Sequence, residues 1–519
     1  MELHYATHYF SLVSGGGNLY NITGGSSNFA QPWTTNYYAI FNAPSTPGTS
    51  VVRITDSTGN TVDSTITVTG TAQGALDTTY NSAGTQPGTQ QTIAFSTGDE
   101  FAQAAVLDAS NNIYIAGYSL DTATGLYRFA ITKVLSTGLL DATFGTAGKI
   151  RLASIGGGDD YATSIAIQAD GKIVVGGYCD FSGNAYDFCV ARLTTAGVLD
   201  TAGFNAAGTG VGGNGIPGTF MFPMVAGNYN DFSSSIAIQA DQKIVMAGSC
   251  ASATAANYTD ICVARVTTAG ALDAGFGGAG KIIEALAGPD TASSIAIQAD
   301  QKILIGGSYQ NYYFTISRYT TAGVLDTGFG SNGSTGGRVY LSAAAAGNAN
   351  SALSSSLNIK MLLQPDSKIL IGGSTNVLTS LADYNYFTAR VTGDGSIDDT
   401  YGSEGRFVVT QSVYGAGTAA SQLSDYVGAI ALQNDGKLIA AGRTFWQDLT
   451  FKMSMLRVTP DGSLDSTFGS NGRSYQQLTS LNGNAYSKAI VVQSDGKLVV
   501  IGHAHNGTAY RFFTARFWP

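Results

Sequence analysis

A unit of about 60 to 70 residues occurs seven times in this chain, and a repeat covering most of a sequence settles its architecture before any other feature is weighed. One half of the unit reads SIAIQADGKIVVGG from Ser164 to Gly177. It returns as SIAIQADQKIVMAG from Ser235, SIAIQADQKILIGG from Ser294, IKMLLQPDSKILIGG from Ile359, AIALQNDGKLIAAG from Ala429 and AIVVQSDGKLVVIG from Ala489. A worn copy, AAVLDASNNIYIAG from Ala104, makes seven. The turn position falls at Ser110, Asp170, Asp241, Asp300, Asp366, Asp435 and Asp495, in steps of 60, 71, 59, 66, 69 and 60 residues.

Each copy reads as strands. Ile165 and Ile167, then Ile173 and Val175, alternate with small or polar residues on either side of Asp-Gly, the strongest short-range hairpin signal. A Gly-introduced apolar run lies upstream, as in KIRLAS after Gly148, KIIEAL after Gly280 and RFVVT after Gly405. A further run lies downstream, as in FCVARL from Phe188, ICVARV from Ile261 and FTARF from Phe513. Units are joined by a Leu-Asp, aromatic, Gly turn, such as LLDATFGTAG from Leu139 and SLDSTFGSNG from Ser463. No intervening stretch has the 3.6-residue period of an amphipathic helix. Four antiparallel strands repeated seven times describe an all-β fold, a seven-bladed β-propeller. An open solenoid is the competitor, but its coils use shorter periods. The intact strand at Thr89 to Phe95 favours seven continuous blades over a blade shared between the chain ends.

The Q-x-DGKIvvGG, f-x-x-aR and LDttFG-x-x-G elements, in that fixed order, resemble the delta-60 repeat family of bacterial propeller-type repeats over about residues 75–519. The resemblance implies a propeller fold and a protein that is surface-associated or secreted. It implies no activity and brings no active-site residues.

Only 12% of the 519 residues are charged, so the surface is covered largely by Ser, Thr, Asn, Gln, Gly and Tyr. The net charge of −9 leaves no basic stripe to neutralise phosphates, which argues against nucleic acid as a partner. No window approaches 18 apolar residues, so membrane insertion is not expected. Four cysteines give the sharpest local signal. Cys179 and Cys189 fall near the hairpin between the third and fourth strands of one unit, and Cys250 and Cys262 take the same places in the next. Cross-strand bridges Cys179–Cys189 and Cys250–Cys262 are expected, with free buried thiols as the alternative. A zinc site would need four ligands where each unit supplies two. Such bridges point to an oxidising compartment and an extracellular or cell-surface location, although the opening MELHYATHYFSLVSGGG shows no secretion signal.

Residues 1–70 do not belong to the repeat and read as a small immunoglobulin-like β module, preceding a propeller at 71–519. YYAIFNAP from Tyr37, SVVRIT from Ser50 and STITVTG from Ser64 are its strands, with DSTGN as a turn. A full sandwich usually needs about 100 residues. HYATHYFSLV from His4 is therefore either a strand of its own module or one handed to a neighbouring subunit, which would polymerise the protein head to tail.

Catalytic signals are few. The four histidines, His4, His8, His503 and His505, leave little room for a His-dependent triad, and the His503/His505 pair reads as polar surface at the end of the last unit. Asp141, Asp200, Asp273, Asp326, Asp398 and Asp465 recur with Arg192, Arg265, Arg318, Arg390, Arg457 and Arg516, so a structural Asp–Arg pair is the economical reading. Asp99, Asp160, Asp231, Asp290 and Asp425 open the second strand of several units and are candidates for a Ca2+-binding acidic rim. Neither cofactor nor metal is expected otherwise.

Variation concentrates in expanded connections from Gly212, Ser334 and Thr410 and in hairpins carrying SYQNYYF and NVLTSLADYNY. Tyr229, Tyr309, Tyr312, Tyr313, Tyr340, Tyr384, Tyr386 and Tyr414 are the candidate interaction residues, since a phenol offers an apolar face and a polar tip. The expectation is a non-enzymatic extracellular structural protein that self-assembles through its N-terminal module into a filament, sheath or coat. An adhesin or lectin-like propeller for glycan or protein partners is the alternative.

Overall fold

The computed structural model describes residues 73–519 apart from 182–184, 211–214, 253–257, 287, 311–312, 331–335, 342–358, 376–383, 410–424, 446–449 and 477–482, together with five short strands among residues 1–72. Seven four-stranded antiparallel sheets form the blades of a propeller. In blade 1 the order from inside outward is Glu100–Leu107, Ile113–Asp121, Leu126–Val134 and Lys149–Arg151. The inner strands of blades 2 to 7 are Gly157–Ile167, Phe232–Ile238, Thr291–Ile297, Lys360–Leu363, Asp425–Leu432 and Ala485–Val492. Each contacts its counterpart in the next blade, and the seventh contacts the first, so the ring is closed.

The strand grouping differs from the sequence unit by one strand. The Gly-introduced run does not open its own blade; it completes the preceding one. After Val134 the chain bridges back at Leu140, and Gly148 N–H bonds Phe144 C=O at 2.9 Å. The returning strand therefore pairs with the one it has just left, Lys149 opposite Thr132 and Arg151 opposite Ala130. This phase leaves the last blade one strand short. Thr89–Ile93 fills the place, pairing antiparallel with Tyr510–Phe517, so the ring closes through a shared blade rather than through seven continuous ones. Gly74 N–H to Trp518 C=O at 2.8 Å and Asp77 N–H to Arg516 C=O at 2.7 Å extend the seam.

Hydrophobic burial lies between blades. Ile131, Phe144 and Ile173 share one cluster between blades 1 and 2, Val174, Phe204 and Met246 the next, and Ile113, Ile501 and Phe512 close the circuit between blades 7 and 1. Because a blade is covered on both faces, its middle strands lose polar alternation, and every residue from Ile173 to Gly177 is buried.

The repeated Asp, Lys, Arg and aromatic residues form one device per blade. Arg192 Nε donates to Asp200 Oδ2 at 2.9 Å, and the same bond recurs at 2.7 Å for Arg265–Asp273, 2.8 Å for Arg318–Asp326, 2.7 Å for Arg390–Asp398 and 2.8 Å for Arg457–Asp465. At the seam Arg516 meets Asp77 at 2.8 Å, while in blade 1 Lys133 replaces arginine opposite Asp141 at 2.8 Å. The lysine after six of the seven hairpin turns joins the same carboxylate, as Lys368 does with Asp398 at 3.0 Å. Each guanidinium lies over the aromatic residue of the turn, at 4.5 Å for Arg265 and Phe276 and 4.8 Å for Arg390 and Tyr401. Its far nitrogen then crosses to the next blade, Arg192 Nη1 to Thr268 C=O and Arg318 Nη1 to Gly393 C=O, both at 2.7 Å. The Asp–Arg reading of the repeat is thus what the structure contains.

Among residues 1–72, Tyr9–Ser14, Gly48–Thr55 and Thr61–Val68 form a three-stranded antiparallel sheet, and Leu19–Asn21 pairs with Ile40–Asn42. The strand considered for exchange with a neighbour is therefore paired inside its own chain. His4 and His8 lie outside the described residues.

The clamp sets a stability prediction. Asp398→Asn leaves the buried Arg390 guanidinium without its counter-ion, at a cost on the order of 3 to 5 kcal/mol. Urea denaturation followed by tryptophan fluorescence checks it, and a loss under about 1 kcal/mol would show that the clamp is redundant.

Candidate functional site

Antiparallel pairing sorts the connections onto two faces. The Asp-Gly turns and the Leu-Asp turns, with all the clamps, occupy one face. The hairpins between second and third strands and the links into the next inner strand occupy the other, and most of the length variation lies there.

Just under this variable face the inner strands carry a recurring aromatic residue seven positions before the repeat glutamine or its counterpart: Phe101, Tyr161, Phe232, Tyr426 and Tyr486. Cross-strand partners Tyr118, Tyr178 and His503 sit opposite Phe101, Tyr161 and Tyr486. These rings join across blade boundaries, Tyr118 to Tyr161 at 4.8 Å, Tyr178 to Phe232 at 5.0 Å and His503 to Phe101 at 5.1 Å between centroids. On the other side, Tyr384 stacks on Tyr426 at 5.0 Å, and Phe451 bridges Tyr426 and Tyr486 at 6.1 Å and 6.0 Å. A belt of half-buried rings thus runs from blade 5 through blades 6, 7, 1 and 2 to blade 3. In blade 4 the same register holds Thr291 and Ser308, whose hydroxyls bond at 2.7 Å.

A bulge follows each of these positions in six inner strands, between Ala102 and Ala104 in blade 1 and between Val427 and Ala429 in blade 6. It pushes the preceding carbonyl toward the second strand, so a Cβ on Gly442 would overlap Tyr426 C=O. That geometry accounts for the glycine of the repeat at this point. Bulges re-aim side chains near binding sites. The residue set out by the bulge is Gln103, Thr163, Ser234, Ser293 and Gly428 in five blades, and Lys488 in blade 7.

Lys488 marks a cavity of about 180 Å3 between blades 5, 6 and 7, lined by Ser374, Tyr426, Val427, Gly428, Arg443, Tyr486, Ser487 and Lys488. The Arg443 guanidinium lies within 4.5 to 4.6 Å of the Tyr426, Phe451 and Tyr486 rings, and its Nε has no hydrogen-bond partner. Burial, then the fields of Lys360 and Arg443, push the Lys488 ammonium down to about 8. Burial and Lys488 push His503 down to about 3, and its Nδ1 lies 3.1 Å from Ala102 C=O. The imidazole is therefore neutral.

The structure distributes the sequence candidates unevenly. Tyr229 and Tyr313 are 51% and 40% exposed on the variable face. Tyr309 contacts Tyr340 at 4.8 Å, and Tyr384 joins the belt. Tyr312 and Tyr414 lie outside the described residues. Tyr386 does not belong to the surface: it is 1% exposed, and its hydroxyl bonds Ser454 Oγ at 2.8 Å inside the core between blades 5 and 6. His503 is likewise not polar surface, being 5% exposed among aromatic rings.

The acidic residues proposed as a rim are mostly interior. Asp160, Asp231, Asp290 and Asp425 are buried, and the first three accept backbone amides: Ile155 N–H at 2.9 Å, Met224 N–H at 2.6 Å and Gln310 N–H at 3.0 Å. Asp99 ties blade 1 to blade 7 by accepting Tyr510 N–H at 2.9 Å. Among the described residues no three His, Cys, Asp or Glu side chains are placed to hold a metal ion. Cys179 is bonded to Cys189 and Cys250 to Cys262, each with a Cα–Cα distance of 5.9 Å. Both bridges are diagonal, since Cys189 pairs with Gly177 and Cys262 with Gly248.

Arg443, Lys488 and the belt were not singled out from the sequence. Their signal was present: Lys488 stands where other copies carry Gln, Thr, Ser, Ile or Gly, and Arg443 where they carry Tyr, Ser or His.

The repeats match a family model described as "Domain of unknown function (DUF5122) beta-propeller" at residues 168–202, 239–276, 298–329, 364–401, 433–468 and 493–519. The chain carries propeller-type repeats. The matched segments begin at the repeat glutamine and contain the clamp lysine and arginine. No curated protein matches the chain. Solved structures with a similar fold include an aldose sugar dehydrogenase from Streptomyces coelicolor, 14% identical over 68% of this chain and 91% of that one, TM-score 0.36. The β-propeller domain of the trilobed protease from Pyrococcus furiosus is 10% identical over 80% of this chain and 93% of that one, TM-score 0.38. An α-L-arabinofuranosidase from Fusarium graminearum is 8% identical over 68% and 92%, TM-score 0.37. At these values the likenesses carry no argument about activity. No helix of the described residues is long and apolar enough to cross a membrane, which says nothing of strands.

Two predictions follow from this chemistry. Reducing each disulfide, which closes a loop of 10 or 12 residues, lowers stability by roughly 2 to 3 kcal/mol in the chain-entropy model; melting with and without dithiothreitol measures it, and an unchanged midpoint would contradict it. Burial pushes the Glu100 carboxyl up to about 7, Asp160 to about 6 and Asp290 to about 6, and burial with Asp231 pushes Asp187 up to about 7. Above about pH 4 the unfolded chain has released these protons while the folded chain keeps them. Their contribution is full below the unfolded pKa and is lost as pH rises through about 6 to 7. The unfolding midpoint is expected to be higher near pH 5 than near pH 7.5.

Proposed function

We propose that the protein is a non-enzymatic binding propeller, lectin-like or adhesive, that presents its variable face to a glycan or protein partner outside the reducing cytosol. The half-buried aromatic belt carries this reading. Rings that pack edge to face with one another while keeping part of each surface open suit stacking on sugar rings or on a partner's apolar residues. The two disulfides fit an oxidising compartment. The narrower delta-60 resemblance is consistent with a surface or secreted setting. His503, the histidine nearest the cavity, is held neutral against a backbone carbonyl and is poorly suited to proton transfer.

Self-assembly into a filament, sheath or coat is the competing reading. The pairing of Tyr9–Ser14 with Gly48–Thr55 within one chain takes up the strand that such an assembly would exchange.

A panel of immobilised neutral and acidic oligosaccharides, probed with the disulfide-bonded chain, tests the proposal. Binding is expected, with at least a tenfold loss in the Tyr161→Ala, Tyr426→Ala double variant at unchanged melting temperature. An absence of glycan or protein partners combined with regular polymers by electron microscopy would replace this reading with the structural one.

A further inference from the structure

The cavity between blades 5, 6 and 7 holds an electrostatic imbalance that the fold itself does not explain. In a chain of net charge −9 with only 26 Lys and Arg, the clamp arginines and the lysine after each of six hairpin turns meet a carboxylate. Arg443 and Lys488 make no ion pair with an acidic side chain among the described residues, and neither does Lys360 on the inner strand of blade 5. The electrostatic neighbours of Lys488 are Lys360 and Arg443, all three cations. Partial burial of like charges is costly unless a counter-charge arrives.

The lining specifies that counter-charge. Arg443 lies over the rings of Tyr426, Phe451 and Tyr486, and its Nε is left to donate. Ser487 is 4% exposed, lines the cavity and has a hydroxyl without a hydrogen-bond partner. At about 180 Å3 the space is smaller than the roughly 300 to 1,000 Å3 of drug-sized pockets, so the guest is small. A planar cation, an ammonium and an unpartnered hydroxyl together match a carboxylate carried on a hydroxyl-bearing ring. The two cations take the carboxylate and Ser487 takes a ring hydroxyl.

We infer that this cavity receives the carboxylate of an acidic sugar, a uronate residue of a polysaccharide. The inference rests on the glycan-binding reading of the variable face and narrows its ligand class. Gly428 is part of the fit: a Cβ there would overlap Ser487 C=O, so the inner strands of blades 6 and 7 approach more closely here than a larger bulge residue would allow.

Isothermal titration of the full, oxidised chain tests it with three probes: an oligogalacturonate, the matching neutral oligogalactoside, and inorganic sulfate. The oligogalacturonate is expected to bind at least tenfold more tightly than the neutral analogue, with Lys488→Gln and Arg443→Gln each abolishing that preference. Lys488→Arg should keep it. In the wild type the affinity should fall as pH rises from about 7 to 9 through the Lys488 pKa, and stay level over that range in Lys488→Arg. Around Lys488 stand Arg443, Lys360 and His503, with Tyr426 and Tyr486 lining the same cavity; the arginine and the neutral imidazole hold one state across this window. Should a glutamine variant fail to fold, the wild-type pH profile still decides. Equal binding of acidic and neutral sugars would overturn the carboxylate site while leaving the glycan-binding reading intact. Sulfate binding as tightly as the oligogalacturonate would overturn the sugar assignment, and no binding of either saccharide would overturn the uronate site and the glycan form of the proposed function, leaving a protein partner for the variable face.

Discussion

Everything in this ring depends on one carboxylate per blade. In six blades the aspartate of the Leu-Asp turn gathers a lysine from the hairpin turn and an arginine from the third strand, and in five of them the arginine donates on to a backbone carbonyl of the next blade. Burial opposes the charge on Asp398, yet hydrogen bonds from Thr400 and the ion pairs with Lys368 and Arg390 hold its carboxyl well below the usual carboxylate range. The cation spreads over an aromatic face, so neither partner is left bare where water is excluded. The apolar faces between blades set no angle and no register by themselves. With the clamp, the seven blades are indexed to one another on one face; on the other, ties such as Asp99 to Tyr510 N–H sit among the variable connections.

That division explains what was legible in the sequence. The clamp recurs because every blade needs it, so Asp200, Arg192 and their counterparts could be read as structural from repetition alone. Blade phase could not be read the same way, since a repeat has no intrinsic beginning. The Leu-Asp turn brings the chain back beside the strand it left, which moves each Gly-introduced run one blade earlier and forces closure by Thr89–Ile93. The disulfide positions were legible because Cys179 and Cys189 flank a single hairpin, and diagonal cross-strand neighbours lie within bridging distance.

The site was less visible for a packing reason. In an exposed sheet, alternation tells inside from outside. In a propeller the second and third strands are covered on both faces, so Tyr386 and His503 sit in runs that are buried throughout despite their polar tips. Polarity then no longer reports exposure. The inner-strand bulge adds a second difficulty, because it breaks the two-residue period just after the aromatic position. Arg443 and Lys488 stand out only once the copies are placed in register with that bulge and compared position by position.

The seam has a consequence for how the molecule is made. Thr89–Ile93 is an outer strand whose partner, Tyr510–Phe517, is translated more than four hundred residues later. At roughly 5 to 20 residues per second, the emerging chain carries an unpaired β-edge for about twenty to ninety seconds. Such an edge is a template for pairing with other chains. TQQTI, the segment involved, contains one strongly apolar residue in five. Its glutamines and threonines keep the waiting edge well hydrated, so the composition that makes the strand an undistinguished member of the repeat also suits it to a long wait for closure.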